Sequence, residues 1–92
     1  MINKSKLNKN IRKVRSIILK NKDNIKMIVV SKELMEKFLK APKWVDLTVK
    51  EDKETEAENW FLYEIPFRMS EALKAGCVLE MKSGEYVILN KI

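Results

Sequence analysis

The residues able to do chemistry in this chain are few. There is one cysteine, Cys77, no histidine, and two glycines, at 76 and 84, in 92 residues. Histidine is the commonest general base and the commonest metal ligand, so its absence removes the most frequent routes to acid–base and metal chemistry. A lone cysteine makes no zinc site. Cys77 opens an apolar run with Val78 and Leu79 and has no imidazole to activate it as a nucleophile. A small buried apolar side chain is the plainer reading. Two isolated glycines do not build a phosphate-cradling loop of the Walker or dinucleotide type. No catalytic residue, metal or cofactor is therefore expected, and the chain reads as a binding protein and not an enzyme.

Two charged segments are left to carry function. The stretch EDKETEAE, residues 51–58, holds five acids and one lysine. It lacks both the alternating Asp or Asn and the glycine of a calcium loop, so an exposed connection is expected, with Glu54 and Glu56 as candidate contacts for a protein partner. A further use for it is to cover basic residues of the same molecule or of a neighbour. The second segment is the N-terminus. Residues 1–26 carry nine Lys or Arg against one acid, Asp23, while the other 66 residues carry ten basic and twelve acidic groups. All of the net charge of +6 thus comes from the first quarter of the chain. A basic end on a near-neutral body is the charge pattern of a protein that meets a polyanion.

The elements that must position these groups follow from periodicity. Leu7, Ile11, Val14 and Ile18 recur at helical spacing within about 60° of one another, which predicts an amphipathic helix over about 4–21. Lys6, Lys9, Arg12, Lys13 and Lys20 fall on its opposite side, with no acid among them. A solvated helix normally mixes signs so that residues four apart can pair. The one-sided charge therefore points to phosphate contact, and the predominance of lysine suits a grip that does not read sequence. Basic amphipathic helices also lie on anionic lipid, but this stripe has no aromatic and a small domain needs it for its core.

IKMIVV, residues 25–30, reads as a buried strand. Ser31 is an N-cap for a helix of about ten residues that Pro42 ends. Alternation from Trp44 to Lys50 predicts a half-buried strand, and NWFLYEIPF, residues 59–67, a second, ended or edged by Pro66. The aromatics of that run, Trp60, Phe61 and Tyr63, belong to the core or, if exposed, to base stacking. Ser70 precedes one or two expected helical turns. Residues 77–91 read as a hairpin closed by a two-residue turn at Ser83 and Gly84. The sum is one α+β domain with an antiparallel or mixed sheet of four to five strands. The basic helix and one or two shorter helices pack on one face.

No apolar run is long enough to span a bilayer or to serve as a signal peptide, so a soluble, cytoplasmic protein without membrane contact is expected. In size and lysine-rich composition the chain resembles the small accessory proteins of phages and mobile elements. Its expected partner is nucleic acid or a nucleoprotein. The alternative is an inhibitor or adaptor that docks on an enzyme through a sheet face bearing Trp44 or Trp60, or through the acidic loop.

Overall fold

In the computed structural model, residues 4–40 and 45–89 are described, with side chains from Ile11 onward. Helix α1 (Lys4–Lys20) leads through a single 3-10 turn (Lys22–Asn24) into strand β1 (Ile25–Val30). Helix α2 (Lys32–Leu39) follows, and then five strands: β2 (Leu47–Glu51), β3 (Glu58–Leu62), β4 (Ile65–Met69), β5 (Cys77–Met81) and β6 (Tyr86–Leu89). Among the described residues the strands form one six-stranded sheet in the order β2-β3-β4-β1-β5-β6. β1 runs parallel to β4 and antiparallel to β5, so the sheet is mixed. The parallel pairing needs a crossover, and α2 with the β2–β3 hairpin supplies it.

The strand number exceeds the expected four to five, and the reason is local. NWFLYEIPF is not one strand. It is β3 and β4 joined by a two-residue turn, with Leu62 paired to Ile65. Both turn residues lie in the left-handed region, Tyr63 at φ 51° and Glu64 at φ 68°. Such a turn normally carries Asn or Gly, and neither residue here signals one. Pro66 consequently sits inside the sheet. In a two-residue hairpin the flanking pair, Leu62 and Ile65, is the hydrogen-bonded one, so the next pair, Phe61 with Pro66, is not. The parallel ladder to β1 begins one residue later, at Ile28 with Phe67. The proline's missing N–H therefore breaks no ladder bond.

Two other expectations are corrected. The segment after Ser70 forms a turn and not a helix: Ala72 N donates to Ser70 Oγ (3.3 Å) and Leu73 N to Ser70 O (3.2 Å). Seven residues between β4 and β5 leave too little chain to repay helix nucleation. The β5–β6 turn spans three residues, Lys82 to Gly84, closed by Met81 N donating to Glu85 O (2.9 Å). Only Gly84 (φ 95°) adopts positive φ there, which is the pattern of a type I turn with a glycine bulge.

Both helices lie on one face of the sheet. Ile11, Val14 and Ile18 of α1 and Leu34 and Phe38 of α2 are buried against Ile28, Val30, Leu62, Phe67, Cys77 and Leu79. Phe38 meets Phe67 edge to face, ring centroids 5.4 Å apart. Ser31 starts α2 as expected, its hydroxyl accepting from Leu34 N (3.2 Å) while fully buried. Its own N–H donates to Gly76 O (3.0 Å), tying the helix start to the segment that enters β5. Among the described residues no helix is long and apolar enough to cross a membrane.

Candidate functional site

The two helical faces of α1 separate by packing. Ile11, Val14 and Ile18 are wholly buried, while Arg12, Lys13, Ser16 and Lys20 are exposed. At 100° per residue these four span about 100° of the wheel, centred opposite the buried stripe. Lys9 occupies the same sector of the α1 backbone and Lys6 falls about 20° beyond its edge; their side chains lie outside the described residues, as does that of Leu7. Lys6 to Lys20 covers about 21 Å along the axis. The first turn of α1 holds no acid, and Lys20 sits in its last turn, where a cation suits the helix dipole.

Arg15 does not join that sector. It lies on the flank of α1, half-buried, and its Nε donates to the Tyr63 hydroxyl at 2.7 Å. Its guanidinium is also 5.8 Å from the centre of the Tyr63 ring. Arg15 is thus tied to the sheet through the left-handed turn between β3 and β4.

The structure adds a residue that charge counting along the chain overlooked. Lys82 N donates to Asn24 O at 2.8 Å, which brings the β5–β6 turn to the C-terminal end of α1. Exposed Lys82 thereby joins exposed Lys20, Lys22 and Lys26 at one end of the molecule. Its local sequence gave no signal, because Glu80 and Glu85 beside it balance its charge.

The acidic segment closes the β2–β3 hairpin, with Asp52 N donating to Ala57 O (2.9 Å) and Glu56 N to Asp52 O (2.7 Å). Glu54 and Glu56 are both exposed there. This turn and the Tyr63 anchor of Arg15 sit at opposite ends of β3, five residues or about 17 Å apart. Trp60 is half-buried on the face covered by the helices and packs against the core. Trp44 lies outside the described residues.

Cys77 is buried at the start of β5, and burial pushes its thiol up from 9.0 to about 12. At neutral pH it is a neutral thiol, the wrong form for a nucleophile or a metal ligand. Among the described residues no three His, Cys, Asp or Glu side chains gather as a metal site. The chain matches no protein-family model, no curated protein and no solved structure.

Proposed function

We propose that this is a non-enzymatic binding protein that grips nucleic acid, or a nucleoprotein, through the outer face of α1. One observation supports the reading above the rest. The apolar stripe of α1 is consumed by the core, and the face left to solvent carries Arg12, Lys13 and Lys20 with no acid in the helix. Lys22, Lys26 and Lys82 extend that charge at its C-terminal end. Lysines on a rigid rod neutralise phosphates by releasing counterions, which gives affinity without reading bases. The burial of Cys77 agrees with a role that needs no nucleophile.

The test is fluorescence anisotropy with labelled duplex and single-stranded oligonucleotides across a salt series. Affinity falls steeply with salt, and Lys13→Gln and Lys20→Gln each lower the slope of log K against log salt by about 1. Reversal of Lys9, Arg12 and Lys13 to Glu together abolishes binding while the circular dichroism spectrum is unchanged. Absence of binding at low salt refutes the reading.

A further inference from the structure

The second face of the sheet is not covered by any described helix. Strand registers place its residues in two rows across the six strands. One row runs Thr48, Phe61, Pro66, Met27, Glu80, Tyr86, from β2 to β6. The next runs Lys50, Asn59, Arg68, Val29, Val78, Ile88. No residue of either row is buried, whereas the covered face holds Ile28, Val30, Leu62, Phe67 and Leu79 at 5% exposure or less. Tyr86 and Ile88, at 65% and 60%, are the most exposed large apolar side chains among the described residues. Seven of the twelve positions are apolar, and they form a continuous stripe from Phe61 on β3 to Tyr86 and Ile88 on β6. A stripe of this kind on a small domain marks a protein contact.

We propose that this face is the dimerisation surface of the protein, two copies packing it together about a two-fold axis that runs along β1. β1 is the middle strand of the stripe, with β3 and β6 each two strands away. Sheets that pack face to face keep their strands within about 30° of alignment. Rotation about β1 then exchanges β4 with β5 and β3 with β6. Met27 and Val29 meet their own counterparts, and Phe61 lies over Tyr86 of the partner subunit, twice.

Charge selects a second copy over other occupants. The face has one cation on β4, Arg68, and one anion on β5, Glu80, on opposite sides of the axis strand. The two-fold brings Arg68 beside Glu80 of the partner subunit, again twice, which is the self-complementarity that an isologous interface requires. Lys50 lies beyond the overlap and is held over the Phe61 ring at 5.2 Å. Single-stranded nucleic acid fits less well. Phe61 and Tyr86 are four strand spacings apart, about 19 Å, with Glu80 beside Tyr86, so they offer no run of adjacent stacking platforms.

The experiment is sedimentation equilibrium of the full chain from micromolar to millimolar concentration. The expected mass is twice 10.8 kDa. Arg68→Glu and Glu80→Arg each weaken the dimer by about tenfold or more, because like charges then face each other twice. The double variant, carrying both changes, restores it. Ile88→Lys, at an exposed position, also yields a monomer with an unaltered melting temperature at monomeric concentrations. A wild-type monomer throughout the range overturns the proposal. So does a dimer indifferent to both charge reversals, or an oligonucleotide that binds wild type but not Ile88→Lys. None of these residues lies on α1, so the outcome is separate from nucleic-acid binding by that helix.

Discussion

Arg15 on α1 and Tyr63 in the β3–β4 turn, 48 residues apart in sequence, are joined by a hydrogen bond of 2.7 Å from guanidinium to phenol. The bond fixes the first helix to the β3–β4 end of the sheet and occupies a turn whose backbone is itself unfavourable. Hydrogen bonds to charged groups contribute about 1.5–3 kcal/mol when the remaining partner is not rehydrated. Arg15 is half-exposed and water can reach it, so the lower part of that range applies. Tyr63→Phe is expected to destabilise the domain by about 1.5 kcal/mol in urea denaturation. Arg15→Ala costs more, since it also removes the stem that packs beside the ring.

The left-handed turn gives a change of opposite sign. Glu64 is exposed and held at φ 68°, where an L side chain crowds the following carbonyl. Glu64→Gly relieves that strain but adds freedom to the unfolded chain. The net expectation is a gain of about 0.5–1 kcal/mol, read as a higher urea midpoint with unchanged slope. A loss of stability would show that the Glu64 side chain holds an interaction worth more than the strain.

Ser31 couples three elements. Its hydroxyl caps α2 through Leu34 N, its N–H bonds Gly76 O, and neighbouring Val30 O accepts from Ser70 N (2.9 Å). Ser31→Ala removes only the cap, leaving Leu34 N short of a partner in a buried setting. The expected loss is about 1–2 kcal/mol, at the upper end for caps because water cannot substitute. Ser31→Thr retains the hydroxyl and should recover most of it.

Cys77 makes stability depend on alkaline pH. Its thiol is raised from 9.0 to about 12 by burial, so above pH 9 the unfolded chain loses this proton while the native state keeps it. The native state then binds more protons than the unfolded one, and stability falls as pH rises. The contribution is intact below pH 9 and is lost between 9 and about 12. The readout is the difference between wild type and Cys77→Ala. That difference should narrow as pH rises, by at most about 1.4 kcal/mol per pH unit. At pH 8 the folded protein should resist a disulfide-exchange reagent and react only on unfolding.

What could be read from the sequence was whatever depends on neighbours in the chain. The 3.6-residue recurrence of Ile11, Val14 and Ile18 specified α1 and the side it buries, and Ser31 specified where α2 starts. The exposed acidic turn and the position of the turn at Gly84, though not its three-residue length, were legible from composition for the same reason. The two-residue turn at Tyr63 and Glu64 was not. Nothing in those residue types favours positive φ, and the conformation exists because pairing of Leu62 with Ile65, burial of Tyr63 and its bond to Arg15 together outweigh the local strain. That turn made one expected strand into two and placed Pro66 inside the sheet.

Which aromatics meet solvent was also decided only by the tertiary structure. Alternation separates Trp60 from Phe61 but cannot say which side the helices will cover. The crossover from β1 through α2 settles it, putting Trp60 against the core and Phe61 on the open face with Met27, Val29 and Ile88. The sequence alone determined that one face of α1 is basic and that no histidine is present. Only the fold assembled the apolar open face, because its residues come from five strands spread between Met27 and Ile88 and meet through registers that no local pattern encodes.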